Sequence, residues 1–196
     1  MMAKRAFDVA IAGLLVLILS PLLAIIALAV VLDSPGPALY VSERIGKGGQ
    51  PFRFYKFRSM VQGADRQGRG LEIQHADPRI TRVGSLLRRT SLDELPQLFN
   101  ILKGEMSLVG PRPTVRSQVE RYTPLQRRRL EAPPGVTGWA QVNGRNLLSW
   151  PQRIELDIWY VDHWSFWLDL RILLLTVPLM LGRRGLYSSD GATHDL

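Results

Sequence analysis

Asp93 and Glu94 stand side by side a few residues after Arg88-Arg89 and well before Pro111-Arg112-Pro113, where two prolines flank one arginine. Carboxylates hemmed in by guanidinium groups suit phosphate chemistry: an acid serves as nucleophile or metal ligand, and the arginine forks hold phosphate oxygens in fixed geometry. A local reading competes, because Ser91 and Glu94 have the spacing of a helix capping box. Pro96 lacks an N–H and is tolerated only in a first helical turn, so the pattern predicts a helix from Asp93 to Leu102 that ends before Lys103-Gly104. Asp93 then lies near a helix N-terminus, a place that favours anions, and capping and chemistry can share it. The prolines around Arg112 restrict the backbone on both sides, which presents this arginine with little freedom left to lose; the alternative is a plain loop with a solvated arginine.

The chain has 196 residues, 46% of them apolar, and a net charge of +8. It is long enough for one domain with a core, and the charge points to an anionic partner: nucleic acid, anionic lipid or a phosphorylated substrate. With no cysteine and three scattered histidines, thiolate zinc sites, disulfide frameworks and cysteine nucleophiles are excluded. A hard, oxygen-liganded cation such as Mg²⁺ remains compatible, with Asp93 as its ligand.

From Val9 to Leu32 the sequence is apolar apart from Gly13, Ser20 and Pro21, long enough to cross a hydrocarbon core of roughly 30 Å. Two features argue for a segment that turns back. Ser20-Pro21 falls near the middle, where proline removes a backbone hydrogen bond and serine can satisfy the freed carbonyl. Basic residues flank both ends, Lys4 and Arg5 before and Arg44, Lys47, Arg53, Lys56 and Arg58 after, and both flanks ask for the cytoplasmic side. A helix–break–helix that enters and leaves one leaflet satisfies them together. A kinked spanning helix and a cleaved signal peptide, with Ala27-Leu28-Ala29 as its formal cleavage site, are the competing readings. Asp8 needs a partner at the lipid edge, and Arg5 is the expected one.

Beyond the apolar segment, Ala38–Val41 and Phe52–Met60 read as strands of a small β-hairpin, with Phe52-Arg53-Phe54-Tyr55-Lys56-Phe57-Arg58 dividing aromatic from basic side chains. Such interleaving also occurs in single-strand nucleic-acid binders, but a lipid-embedded helix is a poor companion for that function, and no nucleic-acid partner is expected. Gln62 to Gln74 reads as a mobile loop, Ser85 to Arg89 as a short helix, and Pro124 to Leu130 as a helix whose Arg127-Arg128-Arg129 is either a solvated face or, the preferred reading, a contact with lipid headgroups. Arg145 follows the turn Asn143-Gly144 and would project towards an anion, or simply into water. Ile154–His163 and Phe166–Leu181 read as helices lying in the membrane interface, given the tryptophans at 150, 159, 164 and 167. The expected class is α+β: a mostly helical monotopic membrane protein with a re-entrant segment over 1–33, a catalytic domain over 34–187 and a disordered tail over 188–196.

Taken in order, Lys4-Arg5-Ala6-Phe7-Asp8, Tyr55-Lys56-Phe57-Arg58-Ser59-Met60, Thr90 to Gln97, Ser107 to Pro113 and Gly135-Val136-Thr137-Gly138 resemble the monotopic phosphoglycosyl transferases of the bacterial sugar transferase family. The resemblance covers the chain from Lys4 to about Arg184. It implies transfer of a sugar 1-phosphate from a UDP-sugar to undecaprenyl phosphate at the cytoplasmic face of the inner membrane, with release of UMP and a requirement for Mg²⁺. It further implies that Asp93 is a nucleophile forming a phosphoglycosyl-enzyme, Glu94 its partner, and Ser20-Pro21 the break of a re-entrant helix. Arg88, Arg112, Lys56, Arg58 and Arg145 are assigned to phosphate binding, and a homodimer is compatible with the family. A nonenzymatic basic adaptor for anionic lipid or RNA, and a lipid-diphosphate synthase with several crossings, are the alternatives from other classes.

Overall fold

The computed structural model describes residues 2–64, 73–74, 77–144, 147–182 and 192–193. Helix α1 (Met2–Asp33) carries Pro21 in its interior and is the one described helix long and apolar enough to cross a membrane. Its hydrogen-bonded path runs through Ser20-Pro21, so the secondary structure is one helix where the sequence suggested two. Pro21 has no N–H to give the Leu17 carbonyl, the usual acceptor four residues back. The Ser20 hydroxyl donates to that oxygen at 2.9 Å instead, as expected of a serine beside a helical proline.

One face of α1 is covered along nearly its whole length. Phe7, Ile11, Ala12, Leu15 and Val16 pack on the core that contains Leu98, Ile101, Met106, Tyr160 and Ile172. Leu23, Ile26, Ala27 and Val30 pack on a second cluster with Phe57, Leu87, Leu92 and Leu95. Leu14, Leu17, Ile18, Ile25 and Leu28 remain exposed, giving a helix apolar on every side in its middle.

Both ends of α1 are fastened by charged groups. Near the start, the buried Lys4 ammonium donates to Asp169 at 2.6 Å and to the Val109 carbonyl at 3.1 Å. Asp8 accepts from the Ser107 hydroxyl at 2.8 Å and the Leu108 N–H at 3.2 Å. The expected Arg5–Asp8 pair is therefore not formed: Arg5 donates to the carbonyls of Ile101 and Leu102, where the end of a helix leaves carbonyls without intrahelical donors. At the far end Arg58 donates to the carbonyls of Val30, Ser34 and Pro35.

Strands β1 (Leu39–Ile45) and β2 (Pro51–Phe57) form the expected antiparallel hairpin, with Leu39 opposite Phe57 and Ile45 opposite Pro51. The ladder stops at Phe57, short of the expected Met60, which bridges to Ile80. Side chains alternate across a strand, so the doubled aromatic Phe54-Tyr55 breaks the simple division of rings from cations. Lys56 falls on the face of Phe52 and Phe54, and its ammonium lies 5.5 Å from the Phe54 ring centre.

Strand β3 (Ile73–Gln74) pairs with β6 (Ala192–Thr193), which puts a strand inside the segment expected to be an unstructured tail; most of the expected mobile loop lies outside the described residues. Helices α2 (Arg82–Thr90) and α3 (Gln97–Lys103) follow. Strands β4 (Ser107–Val109) and β5 (Gly135–Thr137) pair in parallel. Short helices α4 (Arg116–Val119) and α5 (Pro124–Arg127) connect them, and α6 (Trp139–Val142), α7 (Trp150–Asp162) and α8 (Phe166–Gly182) complete the chain. On α8, Ile172 is buried while Trp167, Leu174 and Val177 are exposed. The arginine run expected at headgroups divides: Arg128 pairs with Asp162, and Arg129 is buried, bonded to Asp157 and Tyr122.

Removing one partner of a buried ion pair leaves an uncompensated charge. Lys4→Met is therefore expected to destabilise the fold by about 3–5 kcal/mol, measured as the unfolding midpoint of the detergent-solubilised protein. The double variant Lys4→Met, Asp169→Leu is expected to recover only part of that loss, because Asp169 also accepts from the Tyr160 hydroxyl at 2.6 Å and the Trp164 N–H at 3.0 Å.

Candidate active site

The two acids do not sit in the first turn of a long helix. Ser91 ends α2 in the left-handed conformation (φ 56°, ψ 17°), its N–H bonded back to Leu87 and Arg88. The chain then makes a 3₁₀ turn over Leu92–Glu94, and α3 starts at Gln97 with Pro96 as its N-cap. The Ser91 side chain makes no capping hydrogen bond. The capping-box explanation therefore fails, because a left-handed residue that finishes one helix does not present its hydroxyl to the next. Asp93 lies one turn before α3, and the expected helix start moves from Asp93 to Gln97.

Glu94 is held by two cations. The Arg112 Nη2 lies 2.7 Å and the Lys56 Nζ 3.2 Å from its Oε1, with Arg112 Nη1 at 3.5 Å from Oε2. Burial opposes ionisation of Glu94, but the charges of Arg112 and Lys56 outweigh it and hold the carboxyl well below the usual carboxylate range. Asp93 is buried and makes no hydrogen bond or ion pair among the described residues. Burial, as the largest effect, pushes its carboxyl up to about 6; Lys56 opposes this, Glu94 adds to it, and Arg88 and Arg112 also oppose it. Two neighbouring residues of nearly the same chemistry thus acquire different characters. Glu94 is a fixed anion, and Asp93 is a more basic carboxylate with its oxygens uncommitted.

Arg112 is placed by backbone packing. Gly110 donates to the Thr137 carbonyl at 2.9 Å, and Gly135 donates to the Pro111 carbonyl at 2.9 Å. A Cβ on Gly135 would lie 2.1 Å from the Gly110 nitrogen, and one on Gly138 2.1 Å from the Gly110 oxygen. Only glycine lets the two segments approach so closely. The Pro-Arg-Pro peptide bonds are trans, and the Arg129 guanidinium donates to the Arg112 carbonyl at 3.0 Å. Lys56 is placed by β2, which Asn100 of α3 grips: the Asn100 side chain accepts from the Tyr55 N–H at 3.2 Å and donates to the Arg53 carbonyl at 2.5 Å and to Glu105 at 2.7 Å.

Of the residues singled out from the sequence, Asp93, Glu94, Lys56, Arg88 and Arg112 are brought together. Arg88 makes no ion pair among the described residues, yet it is near enough to lower the Asp93 pKa. Arg58 is placed elsewhere: its guanidinium is occupied by the three carbonyls at the end of α1, a fastening role in place of the phosphate contact expected of it. Ser20 and Pro21 lie inside α1, and Arg145 lies outside the described residues. Sequence reasoning missed Asn100, Gln97 and Arg129, all buried. Asn100 and Gln97 carried a signal, being polar residues on the helical face that Asp93 begins; Arg129 carried none within a basic run.

Among the described residues no three acidic or histidine side chains gather as a metal cage. Mg²⁺ commonly needs only one or two carboxylates when a substrate supplies phosphate oxygens, and Asp93 has oxygens to offer. The arrangement as a whole gathers three cations, Lys56, Arg88 and Arg112, around two carboxylates, a charge pattern suited to a phosphate-bearing ligand.

Because Glu94 raises and Lys56 lowers the Asp93 pKa, the two are separable by titration. Glu94→Gln is expected to move Asp93 below 6, and Lys56→Met to move it further up, both followed by carboxyl ¹³C chemical shift.

The family described as bacterial sugar transferase matches residues 1–183. The sugar transferase EpsL of Bacillus subtilis is 45% identical over 196 residues, 100% of this chain and 95% of that protein. An undecaprenyl-phosphate galactose phosphotransferase of Salmonella typhimurium is 44% identical over 94% of this chain but 41% of its own length. A UDP-glucose:undecaprenyl-phosphate glucose-1-phosphate transferase of Escherichia coli is 46% identical over 89% of this chain and 39% of its own length. The chain thus spans about two fifths of the latter two relatives. With the family's match extending over nearly every element described above, this chain belongs to the bacterial sugar transferases.

Proposed function

We propose that this protein transfers a sugar 1-phosphate from a UDP-sugar to undecaprenyl phosphate, in two displacements through an aspartyl phosphoglycosyl intermediate. The observation that carries this reading is the division between neighbouring acids: Glu94 is pinned by Arg112 and Lys56, while Asp93 is buried without a hydrogen bond and has a raised pKa. A carboxylate that is weakly solvated and uncommitted is the better nucleophile. The names of the Salmonella and Escherichia relatives supply the substrate class.

In the first step an Asp93 oxygen forms a bond to the phosphorus that bears the sugar. The bond from that phosphorus to the bridging oxygen breaks, and UMP leaves with the electron pair. In the second step an oxygen of undecaprenyl phosphate attacks the same phosphorus, the bond to Asp93 breaks, and the carboxylate regains its electron pair as the lipid diphosphate sugar forms. Arg88, whose charge reaches Asp93, would meet the diphosphate, and Arg112 and Lys56, which hold Glu94, would offer positive potential to the phosphoryl oxygens. Mg²⁺, held by Asp93 and the diphosphate, would supply charge neutralisation for the departing UMP. UMP leaves before the lipid acts, so the kinetics are ping-pong.

The same reading places the protein on the cytoplasmic face of the inner membrane with α1 re-entering one leaflet. A straight α1 would measure about 48 Å at the helical rise. Both of its ends are nevertheless tied by charged side chains to one catalytic body, Lys4 and Asp8 to β4 and α8 and the Val30–Pro35 carbonyls to Arg58. Ends tied to one body support a segment that returns to the side it left. Exposed Trp167 and Leu174 on α8 suit the same interface.

Asp93→Asn is expected to abolish UMP release while membrane association persists, and intact-mass measurement of the wild type with UDP-sugar alone is expected to show a covalent sugar-phosphate adduct. A nonenzymatic adaptor would show neither. Only the ionised carboxylate attacks, so the first half-reaction should plateau above pH about 6 and fall tenfold per unit below it. Single cysteines at Ala3→Cys and Leu32→Cys are expected to react with an impermeant thiol reagent from the same side of sealed vesicles; a spanning helix would expose them on opposite sides.

A further inference from the structure

Asp93, Gln97 and Asn100 follow one another at helical spacing from the 3₁₀ turn into α3, and all three are buried. A buried stripe of this kind is ordinarily apolar. The three differ in how their polar atoms are served. Asn100 is fully engaged with β2 and Glu105, which orients the stripe towards the strand that carries Lys56. Gln97 is 1% exposed, and its amide nitrogen has no hydrogen-bond partner. Its side-chain oxygen likewise makes no hydrogen bond among the described residues. Asp93, one turn earlier, is the other member without one. The stripe therefore passes from a satisfied structural amide to an unsatisfied amide and then to the carboxylate.

An unpaired amide in a protein interior is a net loss of stability, because the group has given up water and received nothing. A methionine or leucine would fill the same space without that loss. We infer that Gln97 is a substrate-binding residue: its side-chain amide donates to a non-bridging oxygen of the phosphoryl group that Asp93 attacks, and holds that group in line with the carboxylate. A neutral donor suits this position. The amide binds the phosphoryl oxygen and leaves the nucleophile's charge alone.

This inference rests on the covalent reading of Asp93, and the experiment keeps the two apart. Wild type, Gln97→Met and Gln97→Leu are compared by thermal unfolding in detergent and by single-turnover UMP release with UDP-sugar in the absence of lipid acceptor. The expected result is an unfolding midpoint equal to or above that of the wild type, together with a 10- to 100-fold slower single turnover in both variants. The Asp93 adduct is still expected at long times by intact mass. Wild-type turnover rates in both apolar variants would overturn the inference, since the amide would then be idle. So would a clear fall in stability or failure to fold in both, since the amide would then have a partner within the protein. Absence of any adduct in the wild type would overturn the covalent reading itself, whatever the Gln97 variants do.

Discussion

Two carboxylates adjacent in sequence cannot both be free, buried and charged, and the way this protein resolves that constraint shapes the rest of it. Glu94 takes both nearby cations in direct contact, through Arg112 and Lys56, and Asp93 takes none. Charge is thereby localised on one acid and basicity on its neighbour. The elements around the pair serve that division: the 3₁₀ turn after left-handed Ser91 carries both acids, β2 delivers Lys56, and the backbone contact among Gly110, Gly135 and Gly138 delivers Arg112. The same division gives the proposed reaction its nucleophile.

The apolar helix contributes more than attachment. Its polar ends reach into the catalytic body, where Lys4 and Asp8 organise β4 and the start of α8, and Arg58 collects the carbonyls at the other end. Motifs that read as charge flanks for a membrane segment are therefore also the ties between that segment and the site. Since β4 leads directly into Gly110-Pro111-Arg112, the beginning of the chain is two short steps from the guanidinium that holds Glu94.

Much of this was legible from residue type and spacing. Adjacent acids near arginines, an arginine between prolines, a hairpin with a basic strand and a serine beside a helical proline each carry their physical reason locally. What was not legible depended on partners far along the chain. Arg5 and Asp8 have the spacing of a helical pair, but Arg5 bonds the carbonyls at the end of α3 and Asp8 bonds Ser107 and Leu108 of β4 instead. Arg58 looked like a phosphate ligand until the end of α1 came to rest beside it. Pro96 correctly marked a helix start, but the helix begins just after it, at Gln97, and not at Asp93, because α2 ends in left-handed Ser91 and a 3₁₀ turn carries Asp93. Lys56 was chosen for its charge, while the face it occupies followed from the doubled aromatic before it.

The two fastenings of α1 make it a beam pinned at both ends, its covered face resting on the body through Val16 on one side of Ser20-Pro21 and Leu23 on the other. Such a beam yields at its weakest section, and here that section is known. At Leu17 the rung that would come from an amide comes from the Ser20 hydroxyl, a side-chain link on a rotatable bond. Bending of α1 is easiest at that point, which leaves the supports, and the side chains fixed by them, undisturbed.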